Sequence, residues 1–351
     1  MAERATLKDV ALRAGVATTT VARVVNKSGY VAEETRRRVE DAIEATGYSA
    51  NSLARSLRSD RSRVIGHLLR STLPNPFFLR VARGVEEYAK AHGYTALTYN
   101  VQVQAEAERH GIETFVGWRA DAIIFSTPVD AANVEFAAQR GMPVVQVERP
   151  MTLSASRILV RNFDSAVMAL RHLVDLGHRR IAFVGPEPRS SPPFAESFAY
   201  VDKERFGAYR AVLSEIGAST EGLIKFGEGY RDDVASAQGH GFSATRELLA
   251  QPLRPTAIYT ANDILAAGAM QAIYEAGLRI PRDISVIGFD DTLAQYLSPL
   301  LTTIRQPARR LGMAAAKLVI DQIEGNQPPG CHELVLDTEL VIRDSTGPAP
   351  V

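Results

Sequence analysis

The sequence predicts an α/β protein in which a small, all-helical N-terminal domain precedes a larger body built on parallel β-sheets. Three observations lead to this fold class. The 351 residues exceed what one hydrophobic core usually organises, so several domains are expected. Residues 6–43 contain three short amphipathic helical patterns. After Arg63, strand patterns alternate with helix-length segments, which is typical of parallel sheets covered by helices on both faces.

The composition is that of an ordinary globular protein, with 46% apolar and 23% charged residues. No apolar run approaches the length that spans a membrane, and Met1 leads into a charged segment without a signal-peptide core. A cytoplasmic protein is therefore expected. The single Cys331 excludes an intramolecular disulfide, and we expect it to be a small buried residue. No cofactor and no metal site are expected.

The net charge of zero is the sum of two unlike regions. Residues 1–63 carry 12 Lys and Arg against 8 Asp and Glu, a surplus of +4, which the rest of the chain balances with −4. A basic N-terminal region on a mildly acidic body indicates an anionic partner for the N-terminal region alone.

The first two helical patterns are joined by a tight turn. Leu7–Ala14 has apolar residues at i, i+3, i+4 and i+7, with Thr6 as its N-cap and Gly15 as its end. A second helix is expected from about Ala17 to Val25. Its expected inner residues are Val21, Val24 and Val25, and its outer residues are Thr18, Thr19, Ala22 and Arg23. Two such helices form a helix-turn-helix, whose second helix enters the DNA major groove at its N-terminal end.

A third helix is expected from about Ala32 to Thr46. It closes the small core with Val39, Ala42 and Ile43 and leaves Arg36, Arg37 and Arg38 outside. A plain three-helix bundle with solvated arginines is the alternative. The turn, the small polar residues that lead the second helix and the local charge surplus together favour DNA binding.

Two segments resemble one family of bacterial transcription regulators, the lactose and purine repressor family. They are "ATLKDVALRAGVATTTVARVVN" and "GYSANSLARSLRSDRSRVIG", and the similarity extends over nearly the whole chain. The resemblance implies that "NSLARSL" is a hinge helix that orders on DNA, with Leu57 wedged into the minor groove. About eight residues are too few for a stable isolated helix, which agrees with ordering on DNA.

The resemblance also assigns the DNA contacts. Base edges would be contacted by Thr18, Thr19 and Arg23, phosphates by Thr20, Asn26 and Tyr48, and the hinge contacts would come from Asn51, Ala54 and Leu57. Three alanines depart from the family pattern. Ala17 and Ala22 replace serines, so Thr18 would have to supply the N-cap, and Ala50 replaces the proline that opens the hinge.

In the body, the resemblance implies a two-lobed sensor similar to periplasmic sugar-binding proteins, with a small effector held between the lobes. The matching segments are "NPFF", "GMPVVQVER", "LGHRRIAFVG", "ERFGAYRAVL", "AND", "GFDD" and "LLTTIRQ". Ligands of parallel sheets lie at the carboxyl ends of the strands, which nominates Ser71, Ser126, Glu148, Asn262 and Asp290. The family resemblance implies that Arg205, Asn262 and Asp290 hydrogen-bond to hydroxyl groups of the effector and that Phe78 forms an apolar wall of the effector site.

Structural alternatives stand beside these assignments. Asn262 could be only the N-cap of the following helix, Asp290 could be a turn carboxylate, and Phe77 is expected in the core. Arg161 stands where the family often has aspartate. Together with Arg70, Arg149 and Arg205, it suggests the hypothesis of an anionic effector, against the alternative that these arginines bridge the lobes or face solvent.

The expected domains are residues 1–50 (helix-turn-helix), 51–63 (hinge and linker), 64–345 (body) and 346–351 (tail). Within the body, the N-lobe is expected at about 64–164 and 293–324 and the C-lobe at about 165–292 and 325–345, with crossings near Asp164, Thr292 and Gly325. The C-terminal residues lack a leucine heptad, so a homodimer without a tetramer-forming extension is expected.

These features predict a repressor that binds a pseudo-palindromic DNA operator under the control of a small effector, a carbohydrate or a related metabolite. No G-x-S-x-G elbow, P-loop or H-E-x-x-H motif supports an enzyme. The alternatives are a cytoplasmic solute receptor, which has no need of the DNA-reading segment, and a vestigial sugar-processing enzyme with an architectural DNA-binding domain.

Overall fold

The computed structural model describes residues 5–25, 28–48, 61–69, 75–101, 104–186, 195–227 and 234–350. The chain divides into two compact units, Met1–Ser62 and Arg63–Val351, called the head and the body below. Among the described residues, no helix is both long and apolar enough to cross a membrane.

The head is a three-helix unit with the predicted helices. They are α1 (Leu7–Ala14), α2 (Thr18–Val25) and α3 (Glu33–Thr46). Thr6 caps α1 in a reciprocal capping box with Asp9, whose Oδ2 lies 2.7 Å from the Thr6 amide, and Gly15 ends α1 with a φ of +64°. Valines at one face of each helix fill the core, namely Val10, Val21, Val24 and Val39.

The body contains two six-stranded sheets that define its lobes. The N-lobe sheet has the order β11-β5-β4-β3-β1-β2, all parallel. Its strands are β1 (Val64–Leu69), β2 (Thr95–Asn100), β3 (Ala122–Ser126), β4 (Val144–Val147), β5 (Ser156–Val160) and β11 (Glu333–Leu336). Its helices are α4 (Pro76–Ala91), α5 (Ala105–Gly117), α6 (Ala131–Ala138) and α11 (Ala308–Glu324).

Helices cover the N-lobe sheet with two separate cores. One core joins α4 and α11 to the sheet, and the other joins α5 and α6 to it. Glycines let α4 and α11 approach closely, because a Cβ on Gly84 would overlap the Arg309 carbonyl oxygen and a Cβ on Gly312 would overlap that of Val81.

The C-lobe sheet has the order β12-β10-β9-β8-β6-β7, parallel except for the antiparallel edge strand β12. Its strands are β6 (Ile181–Pro186), β7 (Ile224–Gly227), β8 (Ala257–Thr260), β9 (Ser285–Asp290), β10 (Thr302–Arg305) and β12 (Glu339–Val341). Its helices are α7 (Asn162–Asp175), α8 (Ala195–Glu215), α9 (Val234–Leu249) and α10 (Asp263–Glu275). They pack as the pairs α7 with α8 and α9 with α10 around one large core.

Strand pairing corrects two of the predicted lobe boundaries. The first crossing lies at Arg161, close to the predicted Asp164. Strand β10 pairs with β9, so residues 293–305 belong to the C-lobe, and the crossing expected near Thr292 follows Arg305 instead. Strand β11 pairs with β5, so 333–336 belong to the N-lobe, and the crossing expected near Gly325 lies between Leu336 and Glu339. These pairings join residues far apart in sequence, which local patterns do not reveal.

The C-terminal segment is part of the C-lobe and not a separate tail. The Val286 amide donates to the Ser345 carbonyl at 2.9 Å, and the Ala349 amide donates to the Leu176 carbonyl at 2.9 Å. The Ser345 hydroxyl is fully buried and donates to the Val286 carbonyl at 2.6 Å. The prediction for Cys331 is also wrong, since this residue is exposed in the segment between α11 and β11.

Candidate functional site

The outer face of α2 presents polar side chains to solvent. Thr18, Thr19 and Arg23 are exposed, whereas Val21 and Val24 are buried. Thr20 is half-buried. The amphipathic spacing of α2 therefore directs the three predicted base-contacting residues away from the head core.

The remaining DNA-contact residues fall in two groups. Tyr48 follows the C-cap Gly47, is half-buried and packs against the head core, so its ring has a structural role as well. Asn26, Asn51, Ala54 and Leu57 lie outside the described residues, as does Ala50. Ala17 precedes α2 without a capping hydroxyl, and Thr18 is the first helical residue, not the cap residue.

In the body, the guanidinium of Arg205 is the centre of a buried polar site. Arg205 lies in α8 with 3% of its surface exposed, and its Cζ atom sits 3.6 Å from the centroid of the Phe289 ring. Its Nε donates to Asn162 Oδ1 at 3.0 Å, and its Nη1 donates to the Ala261 carbonyl at 2.7 Å. Packing and hydrogen bonds thus fix the plane of this guanidinium.

Two carboxylates flank Arg205, one from each lobe. Asp290 Oδ1 lies 3.8 Å from its Nη1, and Glu148 Oε1 lies 3.7 Å from its Nη2. Asp290 ends β9 and Glu148 follows β4, so both stand at the carboxyl ends of parallel strands. Burial raises the pKa of each carboxyl, partly offset by the Arg205 charge for Asp290 and by the Arg149 and Arg205 charges for Glu148.

Asp290 is further held by two amides. Gln306 Nε2 donates to its Oδ1 at 2.6 Å, and Asn75 Nδ2 donates to its Oδ2 at 3.2 Å across the lobes. Its φ of +113° and the φ of +55° at Asp291 turn the two neighbouring side chains apart. Asp291 faces Arg305 and Arg343 instead, each at 2.7 Å, which makes it a structural turn residue.

A second arginine extends the site. Arg149 Nε lies 3.5 Å from Glu148 Oε2, and Arg149 Nη1 lies 3.5 Å from Asp202 Oδ2 in α8. The resulting cleft cluster consists of two guanidinium groups and three carboxylates, from Arg149, Arg205, Glu148, Asp202 and Asp290. With all five groups ionised, its net charge is −1.

Several buried polar atoms at the cleft cluster have no hydrogen-bond partner among the described residues. They are Arg205 Nη2, Glu148 Oε2, Asn162 Nδ2, Gln306 Oε1 and the Tyr259 hydroxyl. Buried polar groups are nearly always hydrogen-bonded, so a concentration of unmatched donors and acceptors marks a place where a polar ligand can complete them.

The other predicted cleft residues have varied environments. Ser126 ends β3, is buried, and its Oγ lies 2.8 Å from His67 Nε2. Phe78 joins the N-lobe core with Phe77, and their ring centroids lie 5.2 Å apart. Asn262 Oδ1 accepts from the Ile264 and Leu265 amides at 3.0 Å each, which is the N-cap role given above as the alternative. Ser71 and Arg70 lie outside the described residues.

The cluster of arginines expected around an anionic effector does not form among the described residues. Arg161 is exposed and lines a hollow of about 330 Å³ with Tyr200, Glu204 and Glu333. It directly precedes α7, whose first residue Asn162 is buried, so the two side chains point to opposite sides. Arg149 and Arg205 remain, and three carboxylates outnumber them.

The sequence-based prediction missed Asn75, Gln306, Asn162 and Asp202 as members of the site, and it named Arg149 only as part of the anionic-effector hypothesis. Asn75 and Gln306 belong to the family-like segments "NPFF" and "LLTTIRQ", but a single amide carries no periodic signal. Within the described part of the chain, no group of three His, Cys, Asp or Glu residues could hold a metal ion.

Comparisons with known proteins agree with both units. Residues 6–51 match the family of bacterial regulatory proteins of the lacI type, and residues 170–346 match a periplasmic binding protein-like domain. The chain is 33% identical to the HTH-type transcriptional repressor PurR of Mannheimia succiniciproducens, over 97% of this chain and 98% of that protein. It is 34% identical to the ribose operon repressor of Escherichia coli (strain K12), over 91% and 93%.

A solved structure resembles the whole chain. The crystal structure of the Lac repressor dimer bound to operator and the anti-inducer ONPF has a TM-score of 0.81 and 28% identity, covering 98% of this chain and 100% of that one. Together with the helix-turn-helix and the two-lobed body, these similarities establish that the chain belongs to the lacI family of bacterial regulatory proteins.

Proposed function

We propose that this protein is a cytoplasmic transcription repressor that binds a pseudo-palindromic DNA operator as a homodimer and responds to a small-molecule effector. The observation that carries the proposal is the pairing of two unlike sites in one chain. The head exposes Thr18, Thr19 and Arg23 on one helix face, and the body buries a charged cluster between its lobes. The Lac repressor, which resembles it over nearly its full length, binds operator as a dimer.

The head is proposed to read DNA with α2 in the major groove. Thr18, Thr19 and Arg23 would contact base edges, and Thr20 and Tyr48 would contact phosphates. Asn26, Asn51, Ala54 and Leu57 are retained as proposed contacts on the family resemblance alone. Two-fold symmetry of the dimer requires a matching symmetry in the operator.

The effector is proposed to be a neutral polyhydroxyl compound of monosaccharide size. Arg205, Asp290 and Glu148 offer donors and acceptors at close spacing, which suits neighbouring hydroxyl groups. A carboxylate or phosphate would add negative charge to a buried cluster in which three carboxyl groups already face two guanidinium groups, at a large cost in desolvation and repulsion. The charge balance thus favours a sugar over an anionic metabolite.

Selection of bound duplexes from a random DNA pool tests the head. We expect the full chain to enrich a palindrome with a central pyrimidine–purine step, which bends easily. Leu57→Ala should weaken binding to the selected operator and leave effector affinity unchanged. No enrichment, either alone or with a panel of sugars, would count against the function.

Calorimetric titration tests the effector class, with D-ribose as the first probe and D-ribose 5-phosphate as its charged counterpart. We expect neutral monosaccharides to bind and the phosphate to bind at least tenfold more weakly, about 1.4 kcal/mol. Asp290→Asn should abolish binding while leaving DNA affinity intact. Asp175→Asn, an exposed carboxylate of the same lobe, is the matched control and should change neither. Preferential binding of the phosphate would refute the charge argument.

The same titration samples address catalysis. We propose that the cleft binds without turnover, and unchanged sugar after prolonged incubation is the expected result. Product formation would instead favour the enzyme alternative.

A further inference from the structure

His67 and Ser126 form a polar pair inside the N-lobe sheet. His67 lies in β1 and is fully buried, and Ser126 ends the neighbouring parallel strand β3 with 2% of its surface exposed. His67 Nε2 and Ser126 Oγ are 2.8 Å apart. The second ring nitrogen, His67 Nδ1, is buried without a hydrogen-bond partner among the described residues.

The imidazole of His67 is neutral at physiological pH. Burial lowers the pKa of His67 to about 4, because the charged form loses its hydration inside the sheet. A neutral imidazole carries one proton, which must sit on either Nδ1 or Nε2. If the proton is on Nε2, the Ser126 hydroxyl oxygen accepts a hydrogen bond from His67. If the proton is on Nδ1, the Ser126 hydroxyl donates a hydrogen bond to Nε2.

The unmatched Nδ1 decides between the tautomers. With the proton on Nδ1, the sheet would contain a buried N–H without an acceptor among the residues that the structure describes, and such unpaired groups are rare in folded proteins. With the proton on Nε2, only a lone pair of Nδ1 is left unfilled, and Nε2–H donates to Ser126 Oγ. The geometry therefore favours the second tautomer.

In this tautomer, the Ser126 hydroxyl has to donate its own proton elsewhere. Ser126 stands opposite Val147 in the sheet register, and Val147 directly precedes Glu148 of the cleft cluster. Ser126 therefore lies at the carboxyl ends of the N-lobe strands, where Glu148 of the cleft cluster also lies.

We propose that His67 is a positioning residue that occupies a lone pair of Ser126 Oγ and leaves the Ser126 hydroxyl proton free to donate to the effector. The inference rests on the proposed effector function and deepens it. It assigns to the effector an acceptor oxygen, such as a ring oxygen, a carbonyl or a hydroxyl lone pair, at the Ser126 position. An N–H group there would fit less well, because it would compete with the His67 N–H for the lone pairs of Ser126 Oγ and would leave the hydroxyl proton unused.

The tautomer can be read directly from the full-length protein labelled with ¹⁵N-histidine. His67→Gln identifies the His67 signals among the seven histidines. We expect a neutral ring with its proton on Nε2 from about pH 5.5 to about pH 8, the range over which an ordinary histidine titrates. We also expect Ser126→Ala to shift the Nε2 signal. A proton on Nδ1, or an imidazolium in this range, would overturn the inference.

Binding of D-ribose supplies the functional readout. Ser126→Ala and His67→Leu should each weaken D-ribose binding by about tenfold, and the double variant should be no worse than either. His67→Gln, whose amide can still donate to Ser126, should restore most of the affinity. A thermal melt of each variant verifies folding.

The outcomes separate the inference from the proposed function. If His67→Leu folds and binds D-ribose as wild type does while Ser126→Ala does not, the positioning role of His67 is refuted. If the wild-type protein binds no D-ribose, the choice of D-ribose as effector is refuted. The tautomer measured by NMR still tests whether His67 Nε2 donates to Ser126.

Discussion

The head and the body display the side chains proposed to bind DNA and effector in opposite ways. In the head, Thr18, Thr19 and Arg23 are exposed on a helix whose other face forms the core. In the body, Arg205, Glu148 and Asp290 are almost fully buried and already engaged with one another. A surface that meets a large polyanion can keep long side chains free, whereas a site for a small molecule must be organised beforehand.

This difference implies that a substitution on the exposed face of α2 can change DNA binding without changing stability, whereas a substitution in the cleft cluster changes both effector binding and stability. Removing an exposed side chain deletes a contact that exists only in the complex. Removing a buried charge leaves its partners desolvated and unpaired in the free protein.

Arg205→Ala should give the largest loss of stability. It leaves Asp290 and Glu148 buried without their shared guanidinium and removes the ring stacking on Phe289. We expect the free energy of unfolding of the body to fall by about 3–5 kcal/mol, measured by urea denaturation of the full chain.

Arg171→Ala is the matched control for Arg205→Ala. Arg171 pairs with Glu215 at 3.1 Å on the surface, where both side chains are more than half exposed, so its removal should cost about 0–1 kcal/mol. Equal losses for the two variants would contradict the distinction between buried and exposed charges.

His67 should make the stability of the body fall at acid pH. The histidine of the unfolded chain takes up a proton near its ordinary pKa of 6.5, whereas the pKa of the buried ring is lowered to about 4. Stability from this group is therefore present above pH 6.5 and is lost progressively down to pH 4, by about 3 kcal/mol in all.

Two buried carboxyls act in the opposite direction. Burial raises the pKa of Glu108 and of Asp263 to about 7, so their contribution declines as pH rises from their unfolded values to that point. Comparing wild type with His67→Gln at each pH isolates the histidine. A constant difference in unfolding free energy between pH 4 and pH 6.5 would contradict a buried neutral His67.

The same contrast explains what the sequence could predict. The helices of the head follow from periodicity and capping, and the predicted bounds of α1, Leu7–Ala14, are the observed ones. Strand ends and family resemblance identify Arg205 and Asp290. The neighbours that complete the site, such as Asn75 and Gln306, converge from different lobes through the tertiary fold, which no local pattern encodes.

The wrong lobe boundaries have the same origin. The boundaries near Thr292 and Gly325 depend on long-range strand pairing. The anionic-effector hypothesis, which the titration of D-ribose against its phosphate tests, is built on arginines in the sequence without their carboxylate partners and without the exposed position of Arg161. Charge in a folded site is set by which side chains face each other, and the sequence lists only which ones exist.

Arg23→Ala should affect binding alone. Arg23 is exposed on α2, so the thermal midpoint should not change, while discrimination between the selected operator and its single-base variants should fall by about 1–3 kcal/mol. Competition binding at fixed salt measures this. Arg37 is an exposed arginine of α3 and serves as the control. Arg37→Ala should at most weaken binding to all DNA sequences equally. If it reduced the sequence preference instead, the base-contacting surface would have to include α3.

Thr6→Ala should have the smallest effect. Unlike the exposed residues of α2, Thr6 stabilises the head itself, so its removal should change stability. The Thr6 hydroxyl accepts from the Asp9 amide and donates to the Asp9 carboxylate, so its removal breaks the capping box of α1 and should destabilise the head by about 1 kcal/mol. Hydrogen exchange of the α1 amides should accelerate by about fivefold while the body amides stay unchanged. Asp130→Ala, which removes the cap of α6 in the N-lobe, should give the reverse pattern. If either variant accelerated exchange in both units, the head and the body would unfold together. The two units would then differ only in how exposed the side chains proposed for binding are.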